Sequence, residues 1–253
     1  MHNHGDFPAE SLFLIPAVAA AAAYWAGALS KKSGTWPYRR LVFFLAGILT
    51  VLLTVLEPLA GWAHRDFGAL ALSHVLAGMA GPALLVLARP VDLALRTLDT
   101  VPAARLRRAV SSPAARALTH PVTATVLVAA GMWAMFHTAL LPAMQQSMPV
   151  HWLVTAYLAA TGCLFTAAVL NCGPVPHSFR LRAAALAAAT VVHAGSAAWL
   201  LVFPPASSGS IQPGALLLLV SGLAVQAVLA LIMLGQQRNT ARLLPQRMKP
   251  RNA

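Results

Sequence analysis

The sequence predicts an all-α integral membrane protein, a single bundle of seven transmembrane helices. Of its 253 residues, 58% are hydrophobic and only 9% are charged, whereas soluble domains are about a quarter charged. The mean hydropathy is +0.70. Seven apolar stretches are each close to the roughly 20 residues that a helix needs to cross the hydrocarbon of a bilayer. They are residues 12–29, 41–60, 68–88, 120–141, 149–171, 183–203 and 213–235.

The first three stretches each carry a feature of membrane helices. The first is rich in alanine and contains Pro16, and the third contains Pro82. Membrane helices tolerate proline because neighbouring groups satisfy the carbonyl that it frees. The second stretch ends where Glu57 precedes Pro58, a pair that disfavours further helix. Residues 1–10 carry no positive charge of the kind that begins a secretory signal, so the first stretch is expected to stay as an anchor.

The last four stretches continue the pattern. Cys163 and Cys172 lie on the fifth stretch or just after it, nine residues apart. This spacing is about 13 Å along a helix, which is too far for a disulfide. Without a CxxC motif, the two cysteines are interpreted as small buried hydrophobic residues. The sixth stretch is rich in alanine over residues 183–189, which favours close helix approach.

Positive charges fall on alternate loops. The loops after the first, third and fifth stretches hold four, six and two lysines or arginines, and five more follow the last stretch. The loops after the second, fourth and sixth stretches hold only Arg65. The positive-inside rule therefore predicts an N-terminus outside and a cytosolic C-terminus. The residues on the predicted cytosolic side are Lys31, Lys32, Arg39, Arg40, Arg89, Arg96, Arg105, Arg107, Arg108, Arg116, Arg180, Arg182, Arg238, Arg242, Arg247, Lys249 and Arg251.

We expect one transmembrane domain over residues 1–235 and a basic, disordered cytosolic tail over residues 236–253, because the tail has no apolar periodicity. The loop of residues 89–119 mixes leucines with arginines. Two interpretations of it stay open: a helix in the cytosolic headgroup layer or a plain charged loop. The net charge of +12 is a topology signal with some attraction to anionic membrane lipid, and no nucleic-acid partner is expected.

Histidines on four of the predicted helices indicate a site in the outer half of the membrane. His74 lies about 9 Å inside the outer end of the third stretch by helical rise, and His137 is four residues from the outer end of the fourth. His151 begins the fifth stretch, and His193 is near the middle of the sixth. Polar side chains in a bilayer are costly unless paired, hydrated or metal-bound, so they usually face the bundle interior.

Methionines accompany these histidines. Met144 and Met148 lie in the outer loop before His151. Imidazole with thioether is the soft donor mixture that suits Cu(I), whereas the shortage of carboxylates argues against di-iron, calcium or magnesium sites. The alternative interpretation is that each histidine forms an interhelical hydrogen bond and that the methionines fill an apolar core.

At these residues the sequence resembles the multi-spanning CtaG family of cytochrome c oxidase assembly factors, which is distinct from the single-span copper chaperone of the same name. Four blocks in the family's order carry the likeness. They are residues 73–90 (SHVL to GPALLVLARP), 120–137 (HPV to WAMFH), 149–176 (PVH to NCGPVP) and 192–194 (VHA). The sequence departs from the family's pattern at Leu70 and Thr155, where the family has the second histidine of a His-x-x-x-His pair.

The resemblance implies a non-catalytic role in maturing a haem-copper oxidase, in the bacterial inner membrane and with oxidase subunits as partners. The expected cargo is copper, held or passed by an outward-facing site. Its predicted ligands are His74, His137, His151, His193, Met148 and Met144. Losing one histidine from each i,i+4 pair, at Leu70 and Thr155, is expected to reshape such a site.

Two alternatives stay open at this point. A haem-binding membrane electron carrier of the b-type cytochrome kind would use His74 with His137 or His193 as an axial pair. A metal or solute transporter is the other, although no pair of broken helices at matching positions is apparent. A retinal-binding protein is excluded, because it needs a Schiff-base lysine and none of the seven stretches contains a lysine.

Overall fold

The computed structural model describes residues 11–203 and 211–247, and these parts contain helices and no strand. The all-α prediction is thereby confirmed. Residues 1–10, the loop of residues 204–210 and the last six residues of the predicted tail lie outside the described residues. The helices are α1 (Ser11–Leu29), α2 (Tyr38–Leu52), α3 (Leu59–Ala63), α4 (Phe67–Val75), α5 (Gly81–Leu87), α6 (Pro90–Thr97), α7 (Thr100–Val110), α8 (Pro113–Leu118), α9 (Pro121–His137), α10 (Leu140–Gln146), α11 (Met148–Val169), α12 (Phe179–Val202) and α13 (Gln212–Arg247).

Several helices are long and apolar enough to cross a membrane, so this is a membrane protein. Within the described residues there are five such helical runs, and α9 with α10 makes a sixth if this pair, bent by 72°, is one span. The five runs are Leu12–Leu29, Phe67–Thr97, Met148–Val169, Phe179–Val202 and Gln212–Asn239. Large apolar side chains remain exposed around the bundle, Leu153 at 72% and Val191 at 71% among them. Lipid rather than water is the solvent that such surfaces require.

The second predicted stretch, residues 41–60, is not one long helix. Helix α2 has only 15 residues, and the chain turns before the short helix α3 begins after Pro58. Proline has no amide hydrogen to donate and disfavours helical backbone in the residue before it. Pro58 thus accounts for the break before α3, while α2 itself already ends at Leu52, earlier than the apolar composition alone predicts.

A π-helical turn, Leu76–Ala80, joins α4 to α5. It closes with the amide of Gly81 donating to the carbonyl of Leu76, five residues back, just before Pro82. In a regular α-helix the ring of Pro82 would collide with the carbonyl of Gly78, and the wider turn relieves that collision. The freed carbonyl of Gly78 faces α11 at Gly162, where a Cβ atom would overlap it.

The bundle packs around two buried clusters. Helix α13 contacts α12 and α4, while α11 contacts α9, α5 and the π turn. The first cluster joins α4, α9, α11 and α13 around Leu70, Met132 and Leu218, and the second centres on Phe165, Leu186 and Leu229. Helices α1 and α2 contribute a smaller cluster in which the rings of Tyr24 and Phe44 stack at 4.0 Å.

Arginine-rich segments meet at one end of the bundle, here named the basic end and defined by residues 30–40, 89–120 and 171–182. Lys32 Nζ lies 2.6 Å from Asp99 Oδ1, and this ammonium group holds the pKa of the Asp99 carboxyl below its usual value. The guanidinium groups of Arg40 and Arg96 lie over the ring of Trp36, at 4.6 and 5.4 Å from its centroid. These contacts join segments that are far apart in sequence.

The structure decides between the two interpretations of residues 89–119 and corrects the predicted disorder of the tail. The loop of residues 89–119 forms the short helices α6, α7 and α8 rather than a plain loop. Helix α13 continues to Arg247, so the predicted disordered tail is helical over residues 236–247. Gln236 anchors this extension, because its Nε2 donates to the carbonyl of Leu170 at 3.2 Å. The polar and charged residues after residue 235 remove the apolar periodicity of this segment, but they do not prevent it from forming a helix.

Candidate functional site

His74 on α4 and His193 on α12 face each other inside the bundle. Their ring centroids are 6.1 Å apart, and both side chains are almost fully buried, at 5% and 3% exposure. His193 Nε2 lies 2.9 Å from the carbonyl oxygen of Leu218. Because a carbonyl only accepts, Nε2 carries the proton, and Nδ1 of the neutral ring is left with a lone pair. His74 Nδ1 is buried and has no hydrogen-bond partner.

A small cavity lies beside these rings and is also lined by residues of α9, α11 and α13. Its volume is about 30 Å³, and its lining includes His74, His193 and Gln226 together with Thr161 and the thioether of Met132. Gln226 Oε1 is a second buried polar atom without a hydrogen-bond partner. A cavity of this size holds one ion or about two water molecules. Two unsatisfied polar groups facing one small space are unusual in a folded protein and favour an occupant.

Haem does not fit this arrangement. The rings of His74 and His193 are at a separation that one metal atom could bridge, but the space beside them is about 30 Å³. Pockets for organic ligands of ordinary size measure about 300–1,000 Å³. A porphyrin would therefore require the helices to move apart. His137, the other predicted axial partner, has its ring near Trp199 instead, at 6.0 Å between centroids.

Gly222 on α13 makes room for His193. A Cβ atom at this position would overlap Nε2 of the histidine ring. The glycine lies four residues after Leu218, so the imidazole rests against one turn of α13 and reaches the carbonyl of Leu218. Gly222 lies inside α13 and has no positive φ, so the backbone conformation does not require a glycine there. The missing side chain serves the close approach of the ring.

A second group of donors forms where the loop after α2 meets α10 and α11. His64 Nε2 lies 3.0 Å from Met148 Sδ, and His64 Nδ1 lies 2.8 Å from the carbonyl oxygen of Gln145. The ring of His151 is 5.1 Å from that of His64, and His151 Nε2 lies 3.1 Å from the carbonyl oxygen of Thr54. We name His64, Met148 and His151 the distal cluster, and the end of the bundle that holds it the distal end.

The remaining predicted ligands lie apart from both groups. His137 Nε2 is 3.3 Å from Ser196 Oγ, and its half-buried ring opens toward a surface pocket with Trp199 and Phe203. Met144 is buried in the first apolar cluster. The structure thus brings His74 to His193, and it brings both His151 and Met148 to His64, but it does not gather the six predicted residues in one place. In the described part of the chain, no three His, Cys, Asp or Glu side chains form a metal-binding group.

The two positions where the family's histidine pairs are incomplete are both internal. Leu70, one turn before His74, is 1% exposed and belongs to the first apolar cluster. Thr155, one turn after His151, is 4% exposed. Each departure therefore replaces a polar ring by a smaller or apolar side chain next to a retained histidine, and each retained histidine has its neighbour on another segment instead.

Comparison with known proteins gives the relationship of the whole chain. The sequence model of the cytochrome c oxidase caa3 assembly factor (Caa3_CtaG) family matches residues 22–238. The chain belongs to this family. Its resemblance to multi-spanning CtaG proteins is thereby confirmed, and the match covers α2 to α12 in full, including both histidine groups.

Three mycobacterial relatives match part of this Caa3_CtaG chain. Uncharacterized proteins of Mycobacterium bovis and Mycobacterium tuberculosis are each 30% identical to it over 176 residues, and one of Mycobacterium leprae is 27% identical. Each alignment covers 66% of this chain and 27% of the relative. The chain thus spans about a quarter of the length of these relatives. No solved structure matches it.

Three residues of the two groups were not among the ligands predicted from sequence. Gln226 carries a signal that sequence analysis can use, because an amide in the middle of an apolar stretch is costly unless it has a function. His64 is polar but lies in a loop, where a histidine is ordinary. Gly222 has no signal in a single sequence, since its importance depends on which helix packs against it.

Proposed function

We propose that this Caa3_CtaG chain matures a haem-copper oxidase by holding Cu(I) between His74 and His193. The family supplies the oxidase assembly role, and the oxidase subunits are the proposed partners. The proposed location is the bacterial inner membrane. The role is non-catalytic, because passing an ion between soft donors requires ligand exchange and no general base.

The observation that carries the proposal is the ring pair itself. Metal–nitrogen bonds to imidazole are about 2.0–2.1 Å long, so two rings that share one ion have centroids about 6 Å apart. The observed separation is 6.1 Å. The pair therefore matches a two-coordinate ion without a large rearrangement of α4 against α12.

The surroundings favour a soft ion of low charge. The cavity lining has imidazole, amide, hydroxyl and thioether groups and no carboxylate. A divalent ion in such a space would be a buried charge without a counter-ion, which is strongly unfavourable. Cu(I) carries a single charge and accepts nitrogen and sulfur donors.

The hydrogen bond from His193 to α13 supports a ligand role. Histidines that bind metals commonly donate their other N–H to a carbonyl or carboxylate, which fixes the tautomer and the ring orientation. The carbonyl of Leu218 serves His193 in this way. The same hydrogen bond leaves Nδ1 of His193 with a lone pair that is available for a ligand.

The topology proposed for this role has seven membrane crossings, with the N-terminus outside and the C-terminus cytosolic. Contacts at the two ends support it. At the basic end, the rings of His120 and His177 are 4.8 Å apart, and Gln236 contacts Leu170. At the distal end, His64 contacts Gln145. The chain would then pass between the two ends seven times, and the positive-inside rule assigns the basic end to the cytosol.

Purified protein loaded with Cu(I) tests the inner site. We expect the His74→Ala/His193→Ala double variant to retain at least one Cu(I) fewer per chain than the wild type after desalting under anaerobic conditions, because both nitrogen ligands are gone. Copper content is measured against protein concentration. X-ray absorption should lose a component with two short Cu–N bonds.

The matched control is His120→Ala/His177→Ala, which removes two neighbouring imidazoles at the basic end. This control is expected to bind as much copper as the wild type. Equal copper content and equal Cu–N scattering in the His74→Ala/His193→Ala variant and the wild type would overturn the proposed inner site.

A further inference from the structure

We infer that His64, Met148 and His151 form a second Cu(I) site, at which the chain acquires copper before the ion reaches the inner pair. The inference deepens the proposed function and rests on it for the direction of transfer. Its ligand set of two imidazoles and one thioether is separate from the cavity between His74 and His193. The positions of the protons on the two rings determine which nitrogen atoms are free to bind a metal.

The proton of the neutral His64 ring belongs on Nδ1. The carbonyl oxygen of Gln145 lies 2.8 Å from that nitrogen and can only accept a hydrogen bond. With the proton there, Nε2 presents a lone pair to Met148 Sδ at 3.0 Å. The opposite tautomer would pair N–H with a weak sulfur acceptor and leave two lone pairs facing each other at the carbonyl, which is a poorer arrangement.

In the favoured tautomer, nitrogen and sulfur both direct electron pairs into the same gap. Two such donors gain nothing from each other, whereas a soft cation between them binds both. Metal–sulfur bonds are about 2.3 Å and metal–nitrogen bonds about 2.0 Å, so the gap needs to widen by only a small movement of Met148. Met148 is the first residue of α11 and half-buried, and its unbranched side chain has the freedom for that movement.

His151 completes the donor set. Its Nε2 donates to the carbonyl of Thr54 at 3.1 Å, which leaves the lone pair on Nδ1. Its ring is 5.1 Å from that of His64 and is held rigidly, at 1% exposure. Both histidines of the distal cluster thus have one nitrogen fixed by a backbone carbonyl, the arrangement that orients ligands in metal sites.

Accessibility distinguishes the distal cluster from the inner pair. His64 and Met148 are half-buried, whereas His74 and His193 are enclosed. An ion arriving from the distal side therefore meets the thioether and His64 first. Exchange of ligands between soft donors at this level needs no proton transfer, because each ring already has its free lone pair.

Copper binding to the purified full chain tests this inference. The variants are Met148→Leu, which keeps the side-chain volume and removes the sulfur, and His64→Ala. Met148→Cys restores a sulfur donor and should restore binding. The control is His137→Ala, a half-buried histidine that contacts Ser196 and lies outside the cluster. The probe is Cu(I) added anaerobically, read by copper content and by Cu–S scattering in X-ray absorption.

We expect two Cu(I) per wild-type chain, and one in Met148→Leu and in His64→Ala, with loss of the Cu–S component. His74→Ala/His193→Ala should also bind one, with the Cu–S component intact. If Met148→Leu keeps two ions and the Cu–S scattering, the distal site is overturned. If the wild type binds one ion, which Met148→Leu loses and His74→Ala/His193→Ala keeps, the distal site stands and the proposed inner site fails.

Discussion

Replacing Gly162 with valine is expected to prevent stable folding of the bundle. Any Cβ atom at this position would overlap the carbonyl of Gly78 and approach the ring of Pro82. Neither group can move aside, because the π turn sets the position of the carbonyl and Pro82 has a closed ring. Helix α11 would have to withdraw from α5 and the π turn, at a cost of about 3 kcal/mol or more.

The measurement is the yield and thermal unfolding midpoint of the detergent-solubilised protein. Gly195→Val is the matched control, because a Cβ atom there has no neighbour within 4 Å. We expect the control to unfold near the wild-type temperature and Gly162→Val to be lost from the folded fraction. A Gly162→Val protein that purified in normal yield and unfolded at the wild-type temperature would show that α11 does not need this close approach.

The second large effect is expected at Gly222. A methyl group from Gly222→Ala would occupy the position of His193 Nε2, so the ring must turn away and its hydrogen bond to Leu218 is lost. Removing such an outer partner commonly weakens metal binding about 10- to 100-fold. Cu(I) affinity at the inner site, measured by competition with a chelator, should fall by that factor while the protein remains folded.

Gly235→Ala provides the comparison on the same helix, since a Cβ atom there meets nothing within 4 Å. This variant should bind Cu(I) as the wild type does. If Gly222→Ala and Gly235→Ala had the same Cu(I) affinity, then the orientation that α13 imposes on His193 would have no role in metal binding.

Composition was sufficient to predict the class of fold. A chain this apolar, with few charges, does not fold as a soluble domain, and stretches of about 20 apolar residues are typical of membrane helices. The ends of the individual helices are harder to predict. The second helical region ends at Leu52, and a π turn lies just before Pro82. Neither boundary follows from composition alone.

The direction in which each histidine ring points could not be predicted from the sequence. Helical rise gives the level of each histidine along its helix, whereas the face on which it lies depends on the rotation of the packed helix. His74 and His193 turn toward each other, while His137 turns toward Ser196. A rotation of about 100° per residue separates these outcomes, and a single sequence contains no measurement of it.

The distal cluster shows the same limit in another form. His151 and Met148 are predicted as ligands, but the residue that connects them is His64, which directly follows the short helix α3. Its position depends on where α3 ends and how α10 bends after α9. Pairings between a loop and a distant helix leave no periodic pattern in sequence.

Oxidase maturation in cells tests the central claim most directly. The measurement is cytochrome c oxidase activity, with copper per haem of the purified oxidase, in a strain that lacks this chain and is complemented with a variant. We expect the wild type and His120→Ala to restore both quantities. The His74→Ala/His193→Ala variant should accumulate in the membrane yet leave an oxidase that has haem and is short of copper. Full activity and full copper content with that variant would show that the inner pair does not supply copper to the oxidase.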